Sequence, residues 1–230
     1  MSVDPPVTGE SRGRGRISSG PDIELVPLAP RGLDLDEAAV VAARAFHHDP
    51  FFEYLDPNPL RRARGLGLFF RAAVRALGSA GRITGARRAD GRLMGVAAWV
   101  PPGLYPLPGR AQVGELVGAT RAMAPRPAGL RAGMRYLFAI DQAHPKDPMW
   151  YLLLLVVDPL VQRSGIGTRL QTPVLETADR EGVDCYLETQ KPENLAYYRR
   201  FGYEVVEELR PVQDGPPLWT MRRPSGSAAS

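Results

Sequence analysis

Val156-Val157-Asp158-Pro159-Leu160-Val161-Gln162-Arg163-Ser164-Gly165-Ile166-Gly167-Thr168 is the stretch on which the fold turns. The run leading into it, Met149 to Val157, is apolar without polar alternation, the pattern of a central strand covered on both faces. Asp158-Pro159 makes a turn. Beyond it Ile166, Leu170, Val174 and Ala178 recur at helical spacing, which predicts a helix from Gly165 to about Glu181. A helix start carries unpaired backbone N–H groups and a partial positive charge. Gly165 and Gly167 have no side chains to block a close approach. The expected product is an anion cradle suited to a pyrophosphate, formed by Gln162, Arg163, Ser164, Gly165, Ile166, Gly167 and Thr168. Two other phosphate loops are excluded. The P-loop needs a lysine that is missing here, and the dinucleotide fingerprint needs a different glycine spacing.

Working outward, Val183 to Thr189 reads as a strand, Pro192 to Arg200 as a short helix, and Tyr203 to Leu209 and Leu218 to Arg222 as closing strands. Upstream, Ile23 to Leu28 alternates as a first strand. Asp34 with Glu37 three residues later resembles a capping box, opening a helix that runs through Ala38, Val41 and Ala42 to Phe46. His47 to Phe52 reads as a polar-aromatic loop. Leu66, Phe69, Phe70, Ala73, Val74 and Leu77 predict a second helix from about Pro59 to Leu77. Arg82 to Arg88 and Arg92 to Val100 form a hairpin around Ala89-Asp90-Gly91, whose Asp-Gly supplies positive φ. Two helical segments come next, about Arg110 to Met123 and Ala128 to Ile140, split by Pro125 and Pro127. The expected class is a single mixed α/β (α+β) domain over residues 21–224. Residues 1–20, with almost nothing to bury, are expected to be a disordered tail.

Composition narrows the function classes. The net charge of +4 is mild and scattered, which argues against a nucleic-acid surface. All but two of the 29 basic residues are arginine, the exceptions being Lys146 and Lys191; with abundant Ala, Gly and Pro this reads as codon bias. The one cysteine, Cys185, allows no intrachain disulfide and fits a reducing compartment. The longest apolar run is Met149 to Val157, well short of the ~20 residues of a membrane span. The expectation is a soluble, cytoplasmic protein. His47, His48 and His144 are the only histidines, too few and too scattered to suggest a metal site.

The Gln162-x-x-Gly165-x-Gly167 pattern after a strand resembles motif A of the GNAT family of N-acetyltransferases. Leu187-Glu188-Thr189 followed by Asn194-Leu195-Ala196-Tyr197-Tyr198-Arg199-Arg200-Phe201-Gly202-Tyr203 resembles that family's motif B. Ala45 to Pro50 and Trp219-Thr220-Met221 are similar to the branch containing puromycin N-acetyltransferase. The resemblance implies a central, mostly antiparallel sheet split between its fourth and fifth strands, with acetyl-CoA as co-substrate. It implies that the main chains of Val156 and Val157 meet the acyl-pantetheine and that Asn194 bonds the pantetheine arm. It also implies that Tyr198 is the general acid for the leaving thiolate. Many relatives carry asparagine where this chain has Lys191, which is read as a solvated side chain. Glu188, at the cleft end of the fifth strand, is the candidate base for the amine's proton, directly or through water. Cys185 is read as core. His47, His48, Phe51, Phe52, Glu53 and Trp99 are candidate walls of the acceptor pocket. The implied reaction is acetyl transfer to the amine of a small molecule, by direct attack in a ternary complex. The alternatives are a protein or peptide N-acetyltransferase and a non-catalytic acyl-CoA sensor.

Overall fold

The apolar run at 149–157 forms the middle strand of a seven-stranded sheet. The computed structural model describes residues 22–77, 81–105 and 126–227. Its elements are β1 (Ile23–Pro27), α1 (Gly32–Ala45), α2 (Pro50–Leu55), α3 (Pro59–Leu77), β2 (Arg82–Arg88), β3 (Leu93–Val100), α4 (Pro127–Ala143), β4 (Trp150–Val157), a 3-10 turn (Pro159–Val161), α5 (Ile166–Glu181), β5 (Cys185–Thr189), α6 (Pro192–Arg199), β6 (Glu204–Leu209) and β7 (Leu218–Arg223). The helical segment expected at 110–123 and both chain ends lie outside the described residues.

The strand order is β1-β2-β3-β4-β5-β7-β6. Every pairing is antiparallel except β4 with β5. That parallel contact is brief: only Trp150 with Cys185 and Tyr151 with Tyr186 are in register. Beyond them β4 pairs with β3 alone and β5 with β7 alone. The sheet is therefore split between β4 and β5, as the resemblance implies.

Alternation sends side chains into two cores, one on each face. On one face Val96, Ala98, Tyr151, Val156 and Tyr186 pack under α1 and α3 with Leu35, Leu66, Phe70 and Val74. On the other, Ala97, Trp99, Trp150, Leu152, Cys185 and Leu187 pack under α5 and α6 with Ile166, Leu170, Val174 and Tyr198. Register slips in the middle of β4: Ala98 pairs with Leu154 but Trp99 with Leu152. Leu153 is the extra residue, and both Leu153 and Leu154 face the α1 side. Such a bulge bends a strand and re-aims the residues beyond it; here it lies just past the point where β4 leaves β5.

Two local expectations are corrected. Asp34 does not cap α1, which starts at Gly32 after Arg31. Its carboxylate instead accepts from the Ala29 N–H and pairs with Arg87, which also pairs with Glu37. The supposed loop at 47–52 contains α2, with Asp49 as N-cap accepting from the Phe51 N–H and Pro50 in the first turn. Proline suits that position because its missing N–H would have no helical partner anyway.

Candidate active site

The turn after β4 is built from backbone. Asp158 is fully buried. Its N–H donates to the Met94 carbonyl, and its carboxylate caps the 3-10 turn at Leu160 and meets Arg44 at 2.9 Å. Arg163 has φ +63°, unique among the non-glycine described residues, and Gly165 has φ +82°. Left-handed residues at this spacing curl the chain into a concave array of N–H groups. Gly165 is the N-cap of α5 and no side chain caps that helix, so its first N–H groups remain available for an anion. Ser164 turns its hydroxyl back onto the Val161 carbonyl at 2.6 Å. Gln162 closes the loop by donating to the Val157 carbonyl at 3.2 Å.

The two glycines have different roles. A Cβ at Gly165 would meet open space, and this residue serves the loop's left-handed turn. A Cβ at Gly167 would lie 2.8 Å from the Tyr197 hydroxyl, which accepts from Gln171 Nε2 at 2.8 Å. Gly167 is thus what lets α6 pack against the start of α5. Gly167→Ala is expected to cost about 1–3 kcal/mol of stability, the usual range for overpacking, and to raise the KM for acetyl-CoA. Adding Tyr197→Phe should recover part of the loss, because the ring carbon behind the hydroxyl is 3.6 Å away. Thermal melts of the single and double variants check this.

The edge of β4 that faces the split is also backbone. Asp158 N–H points to β3, so alternation turns the main-chain groups of Val156 to β3 and those of Leu155 and Val157 to the split. Leu155, which no sequence motif singles out, therefore has the exposed edge position that was expected of Val156. Nothing in an all-apolar run signals which residues point outward.

Tyr198, on α6, packs among Tyr197, Phe201 and Tyr203 on the α5 side. The residue is 8% exposed. No described residue hydrogen-bonds its hydroxyl, and burial pushes its phenol up from the ordinary value. It stays protonated and available as a donor. Asn194, one turn earlier, donates to Thr189 Oγ1 at 2.9 Å, tying α6 to the end of β5. Lys191 is not a solvated lysine as expected: it pairs at 3.3 Å with Asp49, whose side chain is 3% exposed. This links the N-terminal ends of α6 and α2. Burial raises the Asp49 carboxyl and Lys191 opposes that rise.

Glu188 lies on the opposite face from Tyr198, with Tyr186 two residues before it on β5. Its side chain is 6% exposed and its Oε1 is buried with no hydrogen-bond partner. Around it stand Tyr105, Tyr151, Tyr186 and His144. Burial first, then the Glu188 charge, raise the phenols of Tyr151 and Tyr186. The Tyr105 phenol is pushed up to about 12 by burial, then by Asp141 and Glu188. All three remain neutral. His144 and Tyr105 were not singled out from the sequence, because their partners are far away along the chain.

The other expected pocket residues divide. Trp99 is fully buried in the α5-side core and is not a pocket wall. Phe52 is core, while Phe51 meets Tyr136 edge-on. His48 pairs with Glu53 at 3.3 Å in an exposed position. Cys185 is core, its thiol pushed up to about 12 by burial. Among the described residues no three His, Cys, Asp or Glu side chains are placed to hold a metal ion, and no helix is long and apolar enough to cross a membrane.

The geometry is an anion cradle leading along a strand edge into a split, with a phenol on one face and a carboxylate on the other. Among solved structures the chain is similar to a Corynebacterium glutamicum protein named histone acetyltransferase HPA2 and related acetyltransferase. Identity is 22% over 92% of this chain and 99% of that one, with a TM-score of 0.66. It is similar to arylalkylamine N-acetyltransferase 2 from Aedes aegypti at 14% identity, over 89% of this chain and 99% of that one, with a TM-score of 0.54. It is also similar to the PaiA N-acetyltransferase from Thermoplasma acidophilum in complex with coenzyme A, at 17% identity over 88% and 99%, with a TM-score of 0.52. These likenesses establish the shared fold. The model of the acetyltransferase (GNAT) family matches residues 49–203, a span that holds the cradle, the split, Glu188 and Tyr198. The chain belongs to the acetyltransferase (GNAT) family and is an acyl-CoA-dependent acetyltransferase that uses acetyl-CoA as co-substrate.

Proposed function

We propose that this enzyme acetylates a primary amine on a small molecule, with the amine entering on the Glu188 face of the split and acetyl-CoA on the Tyr198 face. The observation that carries the reading is the enclosure of Glu188. Its side chain is 6% exposed and ringed by aromatic side chains, a setting that draws in a single cationic group. A peptide backbone needs an open groove.

The pyrophosphate rests on the N–H groups from Arg163 to Thr168 at the start of α5. The pantetheine arm runs along the free edge of β4, against the main chains of Leu155 and Val157, with Asn194 alongside. Val156 supports that edge from the β3 side. The thioester then lies in the split. Glu188 takes a proton from the acceptor ammonium and so frees its lone pair. The nitrogen attacks the thioester carbon, a C–N bond forms, the C–S bond breaks and the nitrogen sheds its second proton. Tyr198 gives its proton to the departing sulfur, as a general acid does. No acyl-enzyme is needed, and the buried Cys185, its thiol raised to about 12, is unsuited to forming one.

Free-thiol release in the presence of acetyl-CoA tests the acceptor class. The panel holds aminonucleosides, aminoglycosides, polyamines and amino acids, set against peptides with free N-termini or lysines. A small amine should give the highest kcat/KM. Turnover with peptides alone overturns the small-acceptor reading, and coenzyme A binding without thiol release from any amine points to a sensor.

A further inference from the structure

Glu188 Oε1 does not face empty hydrocarbon. His144 Nδ1 lies 3.9 Å from it, with side chains 9% and 6% exposed. Both atoms are buried and neither has a hydrogen-bond partner. A buried polar atom left without a partner is costly, and here two lie side by side. At 3.9 Å they are too far apart to bond, yet both can bond one atom placed between them. The His144 ring cannot turn away. Tyr105 stacks on it at 3.6 Å between centroids and 23° between planes, and Tyr151 and Tyr186 meet it edge-on at 4.8 and 5.0 Å. Tyr105 in turn reaches Asp141 at 3.5 Å. Among the described residues the titratable groups around His144 are Tyr105 after β3, Tyr151 on β4, Tyr186 and Glu188 on β5, and Asp141 on α4 through Tyr105.

We infer that His144 is a second catalytic base, and that the acceptor nitrogen sits between His144 Nδ1 and Glu188 Oε1. This rests on the proposed role of Glu188. Proton counting supports a pair. The acceptor enters as an ammonium and leaves as an amide N–H, so its nitrogen sheds two protons: one before the C–N bond forms and one as the C–S bond breaks. Tyr198 gives its own proton to the sulfur; of the two protons taken from nitrogen, one is lost to solvent and the other restores the Tyr198 hydroxyl by way of solvent. Glu188 takes the first and holds the cation in place. His144 takes the second, imidazole being the side chain best matched to proton transfer near neutral pH.

The test is kcat/KM against pH for the wild type, His144→Phe and Glu188→Gln, using whichever amine the thiol assay identifies, small or peptidyl. Phenylalanine keeps the stack on Tyr105, and His144→Asn is the second variant should His144→Phe fold poorly. His144→Phe should fall by about 10²-fold at neutral pH, the low end for a lost general base, give a pH profile of changed shape, and recover part of its rate with added imidazole. Wild-type turnover in both His144 variants overturns the inference. So does a uniform loss with a wild-type-shaped profile and no imidazole rescue, which marks a packing role only. A Glu188→Gln enzyme with full rate beside a disabled His144→Phe removes the Glu188 reading and leaves His144 as the base.

Discussion

Glu188→Gln is expected to lower turnover by about 10²–10⁴-fold, the range for removing a positioned general base, and to leave the protein folded. Glutamine has the same shape, so the aromatic enclosure of Tyr105, Tyr151 and Tyr186 stays filled. It also removes a charge whose Oε1 has no partner in the resting structure. Breaking a hydrogen-bonded buried ion pair would be costly, but Glu188 Oε1 accepts no hydrogen bond and His144 Nδ1 stands 3.9 Å from it. Stability should therefore hold or rise while kcat collapses. The KM for acetyl-CoA should change little, because the cradle lies at the start of α5, on the opposite face of the sheet from Glu188, and the β4 edge offers only main-chain groups. Steady-state kinetics with a thermal melt separate the outcomes. A large drop in melting temperature with a proportionate loss of activity would make Glu188 structural.

Tyr198→Phe is expected to give the second large effect, a loss of about 10²-fold in kcat. The hydroxyl bonds to no described residue, so its removal takes no hydrogen bond from the resting fold, and the ring keeps its contacts with Tyr197 and Tyr203. On the proposed mechanism the hydroxyl acts in the reaction and not in the resting fold. Burial holds the phenol above its ordinary value, so the wild type should show no loss of rate from Tyr198 ionisation across the neutral range. The penalty should shrink with an acetyl thioester whose thiol is more acidic, since a better leaving group needs less help. An equal penalty with both thioesters would place Tyr198 outside the leaving-group step.

The features that sequence made legible have local causes. The unbroken apolar run announced a central strand, the 3.6-residue repeat of Ile166, Leu170, Val174 and Ala178 announced α5, and Asp90-Gly91 announced the hairpin. The cradle was legible because its parts, turn, glycines and helix start, are contiguous. What stayed hidden depends on distant partners or on very short segments. α2 has six residues, too few for periodicity, although Asp49-Pro50 was an available start signal. Asp34 has the chemistry of a cap, but Arg87, brought beside it by β2, and the Ala29 N–H claim its carboxylate. Lys191 finds Asp49 only once the N-terminal ends of α2 and α6 are brought together. His144 looked like an isolated histidine before a proline until β4 and β5 placed Tyr151 and Glu188 against it. The bulge at Leu153 leaves no trace in an unbroken apolar run.

The central claim is that the thioester lies in the split, with Tyr198 on one side and Glu188 on the other. A crystal structure with coenzyme A bound measures it directly. The pyrophosphate is expected on the N–H groups of Arg163 to Thr168, the arm along Leu155 and Val157, and the sulfur about 3–3.5 Å from the Tyr198 hydroxyl, within reach of a weak hydrogen bond to sulfur. A sulfur lodged away from the split, with Tyr198 still enclosed by protein alone, would contradict it.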